Sequence, residues 1–283
     1  MELPVVESID ACRSAVGAAR RAGRTITFVP TMGALHEGHA SLVREAASVP
    51  QAFTVVSIFV NPTQFGPNED FNRYPRTLDA DCRLCWAAGA DLIFLPTVET
   101  MYPSNSRTFV DVGELGNHLC GASRPGHFRG VCTVVMKLFH IVAPDAAFFG
   151  AKDAQQARIL RRMVIDLDYP LDFRIVPTVR EPDGLAMSSR NRYLTPEERA
   201  EAPKIHRALF EVQSRVAAGE IDVARLKSAL RNALEAISNA RVDYASIVDE
   251  ETLQPVARIE KPALCAVAVF LGRTRLIDNL TLA

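Results

Sequence analysis

No apolar run in this 283-residue chain approaches the roughly 18 to 20 residues needed to cross a bilayer. The first ten residues lack the basic flank of a secretory leader and carry Glu2, Glu7 and Asp10 instead. Both absences predict a chain that is neither secreted nor membrane-spanning, located in the cytoplasm. An excess of one charge is also missing: 32 Lys and Arg stand against 33 Asp and Glu, for a net charge of -1. That balance gives no electrostatic case for nucleic acid or an anionic membrane as a main partner. Cysteine is too sparse for a disulfide scaffold, with Cys12, Cys82, Cys85, Cys120, Cys132 and Cys265 scattered along the chain, as suits a reducing compartment. Only Cys82 and Cys85 have the spacing of a metal or redox pair. They fall in a stretch that reads as helix, with no second pair nearby, so two ordinary helix cysteines are expected. Both standard phosphate loops, G-x-x-x-x-G-K-[ST] and G-x-G-x-x-G, are absent, as are internal repeats and low-complexity tracts.

What is present is an ordinary globular composition, 48% hydrophobic and 23% charged, in a chain long enough for one large domain or two smaller ones. Apolar strand-like runs at 25–30, 52–60, 91–95, 146–149 and 171–176 alternate with helix-like stretches at 35–47, 77–88, 131–142 and 154–167. The stretch between 96 and 130 is less regular. Continuous apolar strands alternating with helices predict a doubly wound α/β fold, whose parallel sheet binds ligands beyond the carboxyl ends of its strands. From Thr195 the texture changes to two amphipathic helices, 196–219 and 222–237, followed by strand-like 242–248 and 265–270. This predicts a Rossmann-like domain over 1–178 and a smaller α+β domain over 179–283. The turn chemistry of Glu181-Pro182-Asp183-Gly184 lies near the boundary.

The strongest local signal is Pro30-Thr31-Met32-Gly33-Ala34-Leu35-His36-Glu37-Gly38-His39. Two histidines three apart in a first helical turn share a face. A helix start also offers open backbone N–H groups and the positive end of the dipole, which together describe a phosphate cradle without a P-loop. Alone, His-x-x-His more often marks two surface histidines at a helix start. Here Gly33 and Gly38 permit close approach of a ligand, and the segment follows a strand. A zinc site would need a third ligand, and none is near.

This segment resembles the His-x-Gly-His signature of the nucleotidylyl-transfer superfamily, and its longer form resembles the pantothenate synthetase family. Three further blocks agree in order: Phe59-Val60-Asn61-Pro62-Thr63-Gln64-Phe65, Phe149-Gly150-Ala151-Lys152-Asp153-Ala154-Gln155-Gln156 and Met187-Ser188-Ser189-Arg190-Asn191. The resemblance spans nearly the whole chain and is weakest after Thr195. Each block also has a physical reading. The amides of Asn61 and Gln64 follow an apolar strand, where a small polar substrate needs donors and acceptors, although Asn-Pro is also an ordinary turn. Lys152 could reach phosphate oxygens, and Asp153 could cap a helix or hold a ribose hydroxyl. Two hydroxyls and the Arg190 fork suit a triphosphate, although a Ser-Ser-Arg turn is also a common linker.

The resemblance implies an ATP-dependent ligase that joins pantoate to β-alanine through a pantoyl adenylate. It implies catalytic roles for His39, His36 and Lys152. ATP would be bound by Met32, Gly33, Ala34, Leu35, His36, His39, Gly150, Ala151, Lys152, Asp153, Val179, Met187, Ser188, Ser189 and Arg190, with Val179 a backbone contact to adenine. Gln64, Gln156 and Asn61 would bind pantoate or β-alanine. The C-terminal domain would act as a lid, the assembly would be a homodimer, and ATP would bring Mg²⁺. Asp79 and Asp81 are weak candidates for ligands of that ion and equally read as helix-surface charges. Two positions depart from the family pattern: Ala151 stands where Glu is usual, and Thr63 where Met or Leu is usual. The first affects loop packing, the second the lining of the pantoate pocket. A nucleotidylyltransferase that stops after nucleotide transfer would explain the histidines but not Gln64 and Gln156. A non-catalytic nucleotide sensor would not need His36, His39 and Lys152 intact.

Overall fold

A computed structural model describes residues 3–66, 71 and 74–283. Its first part runs β1 (Val5–Val6), α1 (Ile9–Arg21), β2 (Thr25–Thr31), α2 (Glu37–Ala47), β3 (Ala52–Ile58), α3 (Leu78–Ala88) and β4 (Leu92–Phe94). There follow α4 (Val98–Met101), α5 (Cys120–Ser123), α6 (His127–Val142), β5 (Ala146–Gly150), α7 (Ala154–Asp166) and β6 (Asp172–Val176). The strands form one parallel sheet in the order β1-β4-β3-β2-β5-β6.

Side-chain alternation along β2 shows why its run is apolar throughout. Val29 joins a core with Val43 and Ala46 of α2 and Cys85 and Ala88 of α3. Phe28, one residue back and so on the opposite face, meets Phe139 of α6 edge-on, with ring centroids 6.3 Å apart. Both faces of the sheet are therefore covered, as a parallel sheet requires. The chain builds outward from β2 through β3 to β4, then returns to lay β5 on the other side of β2. Strand order reverses there, so the carboxyl ends of β2 and β5 flank the topological switch point.

The C-terminal part comprises α8 (Pro196–Glu201), α9 (Pro203–Ala217), α10 (Val223–Glu235), β7 (Ala240–Asp249), β8 (Ala263–Leu271) and β9 (Thr274–Leu282). The three strands form an antiparallel sheet in the order β7-β8-β9. Leu209 and Val212 of α9 and Leu226 and Leu230 of α10 pack on Val267, Val269 and Leu276. The doubly wound sheet with a smaller α+β part agrees with the sequence reading.

The single helix expected over 196–219 is two, because Pro203 has no N–H to give and starts a helix of its own at the first position. The sequence reading also passed over β1, α1 and β9. By contacts, the chain divides into two compact units: Met1–Gly116, Arg124–Ala151 and Ile159–Pro177 form the first, and Asn117–Ser123, Lys152–Arg158 and Thr178–Ala283 the second. No helix among the described residues is long and apolar enough to cross a membrane. All six cysteines are free, and burial pushes the thiol of Cys85 up to about 12. It is a protonated core thiol at neutral pH.

Candidate active site

The chain leaves β2 at Thr31 and turns sharply before α2. Gly33 has φ +83°, and a Cβ there would meet Ile58 Cγ2 at 3.1 Å and Asp81 Oδ2 at 3.2 Å, so both conformation and space call for glycine. Ala34 follows with φ 51°, a left-handed conformation that an L-residue adopts only when its surroundings impose it. Asp81 imposes it. Its carboxylate accepts from Ala34 N at 3.0 Å, Leu35 N at 2.8 Å and Thr77 Oγ1 at 3.1 Å, and the residue is 2% exposed. The structure thus corrects the sequence reading of Asp81 as a surface charge or metal ligand: it is the buried brace of the histidine loop.

The helix of this motif starts at Glu37 instead of Leu35, because His36 is extended and serves as its N-cap. His36 Nδ1 accepts from Gly38 N at 3.1 Å, and His39 Nδ1 accepts from His36 N at 3.3 Å, forming a reciprocal capping box built from two imidazoles. An imidazole whose Nδ1 accepts carries its hydrogen on Nε2, so each neutral ring has an Nε2–H donor edge. The ring centroids lie 4.2 Å apart. This arrangement also corrects the expectation of open amides. The N–H groups of Gly33, Ala34, Leu35, His36 and Gly38 are all taken by Thr31, Asp81, His39 and His36 side chains. What the motif offers an anion is imidazole N–H and the helix dipole, not a nest of free backbone donors.

Beyond β3, Pro62–Gln64 form a 3-10 turn capped by Asn61. Asn61 is 1% exposed, and both ends of its amide are occupied. Its Nδ2 donates to Gln64 Oε1 at 3.1 Å and Gly130 O at 3.2 Å. Its Oδ1 accepts from Thr63 N, from Thr63 Oγ1 at 2.9 Å and from the Tyr102 hydroxyl at 2.9 Å. Burial pushes Tyr102 above its ordinary value, keeping it a donor at neutral pH. Thr63, which departs from the family pattern, therefore belongs to a polar cluster around Asn61. Gln64 also reaches the histidine loop, with Nε2 2.9 Å from Met32 Sδ. Its carbonyl accepts from His127 Nδ1 at 2.8 Å and Arg124 Nη2 at 3.2 Å. The turn lies so close to α6 that a Cβ on Gly130 would sit 2.3 Å from Thr63 O.

The sequence reading missed Tyr102, Arg124, His127 and Gly130, all in or beside the stretch it found irregular. The one available signal was the Pro125-Gly126 pair, a turn marker directly before α6, whose N-cap is Gly126 at φ 79°.

Of the remaining predicted residues, Gly150 ends β5 paired with Val176, and a 3-10 turn, Ala151–Asp153, follows it. Lys152 is the first residue assigned to the second unit; its side chain is 20% exposed and lies 3.7 Å from Asp153. Gln156 is half-buried on α7, while its neighbour Gln155 accepts from Cys120 N and donates to His118 O. Also in the second unit, Val179 O accepts from Met187 N at 3.0 Å, and Arg180 bridges to Ala186, forming a hairpin. Ser188 caps the 3-10 turn Ser189–Tyr193 by accepting from Arg190 N, and Arg190 is exposed. The structure thus brings Met32–His39, Asn61 and Gln64 together in the first unit. Lys152, Asp153, Gln156, Val179 and Met187–Arg190 belong to the second.

A family model described as pantoate-beta-alanine ligase matches residues 4–281. The chain belongs to that family. Among its relatives is the pantothenate synthetase of Fervidobacterium nodosum, 54% identical over 278 residues that cover 98% of each chain. That of Acidobacterium capsulatum is 58% identical over 259 residues, 92% of this chain and 86% of the other. Among solved structures, the pantothenate synthetase of Thermus thermophilus superposes with a TM-score of 0.91 at 46% identity, covering 98% of this chain and 99% of that one. The pantoate-beta-alanine ligase of Francisella tularensis, described as complexed with β,γ-ATP and β-alanine, gives 0.78 at 32% identity, covering 98% and 97%. The family match thus runs nearly the whole length of the chain.

Proposed function

We propose that the protein condenses pantoate with β-alanine at the expense of ATP, through an enzyme-bound pantoyl adenylate. The observation that carries this reading is the contact of Gln64 with Met32. It ties an amide suited to a hydroxy acid directly to the histidine loop suited to phosphate. Placing a carboxylate beside an α-phosphate is what acyl adenylation requires.

In the first step the pantoate carboxylate attacks the α-phosphorus and pyrophosphate leaves. Negative charge accumulates on phosphoryl oxygens, where Nε2–H of His36 and His39 and the ammonium of Lys152 stabilise it. Gln64 Oε1 and Nε2 each spend one bond within the protein, on Asn61 and Met32, leaving one acceptor site and one donor hydrogen for pantoate. Asn61 acts as the support that fixes that orientation, and Gln156 is the second amide on the acid. Ser188, Ser189 and Arg190 contact the phosphates, and Val179 the adenine. In the second step the neutral amine of β-alanine attacks the acyl carbon, the acyl–phosphate bond breaks, and AMP departs as the amine loses its proton.

The reaction includes Mg²⁺, which neutralises triphosphate charge. Among the described residues no group of three or more His, Cys, Asp or Glu could hold a metal ion, and the phosphates of ATP would supply the principal ligands of Mg²⁺. Residues 1–178 are the ATP- and pantoate-binding domain, residues 179–283 the lid domain, and the protein a cytoplasmic homodimer; the boundary and the compartment rest on the sequence pattern, the roles and the dimer on the family resemblance. The test is AMP formation assayed with each substrate omitted in turn. The proposal expects AMP only with pantoate, β-alanine and ATP all turning over. AMP release with ATP alone, or nucleotide transfer to a phosphate-bearing acceptor, would replace it.

A further inference from the structure

β9 is remote in sequence from every block that carries the proposed chemistry, yet two consecutive residues of it are bonded, one to the Lys152 block and the other to the hairpin that leads into the Met187 block. Asp278 is 4% exposed and forms a fork with Arg180: Nη1 to Oδ2 at 2.7 Å and Nη2 to Oδ1 at 2.9 Å. Arg180 Nη1 also donates to Gly184 O at 3.1 Å, so one guanidinium ties the turn of the Val179–Arg190 hairpin to the strand. The next residue, Asn279, donates from Nδ2 to Lys152 O at 2.9 Å. Successive strand residues face opposite sides of a sheet. Asp278 lies on the face that carries Leu276 and Leu282 into the core with α9, and Asn279 points the other way. The backbone N–H of Asn279 donates to Asp278 Oδ1 at 2.7 Å, fixing the carboxylate against the strand's own backbone.

A buried carboxylate on a sheet is costly unless fully paired, and here the pairing goes to the hairpin that carries Met187–Arg190. We propose that Asp278 and Asn279 are positioning residues for adenylation: through one level of β9 they set the Lys152 loop and the Val179–Arg190 hairpin in register. The inference rests on the proposed roles of Lys152 and Ser188–Arg190. Neither Asp278 nor Asn279 touches substrate in this account.

The test is a double-mutant cycle on pantoate-dependent exchange of labelled pyrophosphate into ATP, using Asn279→Ala, Lys152→Ala and the pair, each first shown folded by its thermal transition. Asn279→Asp is the second variant, isosteric but without the donor. Asn279→Ala should lower the exchange kcat about tenfold, the worth of one lost hydrogen bond, with the pantoate KM unchanged. In the Lys152→Ala background it should cost less than about twofold, because the group it positions is gone. Asp278→Asn should likewise lower kcat, and lose that effect when Ser188, Ser189 and Arg190 are already Ala. Equal, additive losses in both backgrounds would make β9 merely structural and overturn the inference. So would wild-type exchange in Asn279→Ala and Asn279→Asp while Lys152→Ala is impaired, and that result would leave the proposed site intact. Wild-type exchange in Lys152→Ala would overturn the reading of the site and the inference with it.

Discussion

The histidine loop and the Val179–Arg190 hairpin do comparable work in the proposed reaction but are built differently. The loop is held from within: two imidazoles cap one helix, Thr31 takes Gly33 N, and a single buried carboxylate takes the next two amides. The hairpin is held from outside, by ion pairs on its first strand and at its turn. Arg180 pairs with Asp278, and Arg199 of α8 spans Glu181 at 2.5 Å and Asp183 at 2.6 Å, while Asn191 donates to Glu181 and Ala186 O. A site that must present fixed donors benefits from a turn with no spare bonds. A segment whose exposed residues would engage a nucleotide benefits from a firmly held turn, and the exposed Arg190 lies beyond the opposite, open end of this hairpin.

The largest effect is expected from removing the imidazoles. His39→Ala and His36→Ala are each expected to lower single-turnover adenylate formation by about 10²- to 10⁴-fold. Each should also lose about 1 kcal/mol of stability with the cap, measured by denaturant titration. Adenylation at the wild-type rate in either variant would reduce the pair to helix caps.

Next in size is the brace. Asp81→Ala leaves Ala34 N and Leu35 N buried without acceptors, at about 1 to 3 kcal/mol for each donor, and frees Ala34 from its left-handed conformation. Thermal unfolding should shift down by several degrees and exchange activity should fall with it. A variant as stable and active as wild type would show that the loop holds itself.

A smaller effect is expected at the acid-binding amide. Gln64→Ala should raise the pantoate KM roughly 5- to 150-fold, from a loss on the order of 1 to 3 kcal/mol, with ATP affinity nearly constant. Direct titration showing lost ATP binding and intact pantoate binding would move Gln64 to the nucleotide site.

The smallest effect concerns the pairing of the hairpin with Asp278. His206 Nδ1 is buried without a hydrogen-bond partner, 3.7 Å from Asp278 Oδ2. Burial first, then the Arg180 charge, holds its pKa below the ordinary 6.5, against the pull of Asp278. The unfolded chain therefore takes up the proton more readily. This contribution to stability is complete above 6.5 and is lost as the pH falls from there through the depressed folded value. Melting temperatures across that window should slope less in His206→Gln than in wild type; identical slopes would remove His206 from the balance.

Much of this was legible in the sequence, and what was not has physical reasons. The parallel sheet announced itself through apolar runs, and the histidine motif and Lys152 fell at the ends of the elements predicted around them. Their supports were hidden because each works at long range. Asp81 braces Ala34 from 47 residues away, and Asp278 holds Arg180 from 98. Neither has a periodic signature: Asp81 reads as one more charge in a helix's first turn, and Asp278 sits in a strand the sequence reading passed over. Gly130 shows its purpose only once Thr63 is seen against it. The helix break at Pro203, by contrast, was visible in the sequence and was outweighed there by the amphipathic pattern on both sides.

A discrete pantoyl adenylate should form before β-alanine takes part, and isotope exchange reads that step alone. With pantoate and ATP but no β-alanine, labelled pyrophosphate should enter ATP, and the exchange should vanish when pantoate is withheld. Exchange that appears only once β-alanine is added would contradict the account, because the acid would then not be activated in a step of its own.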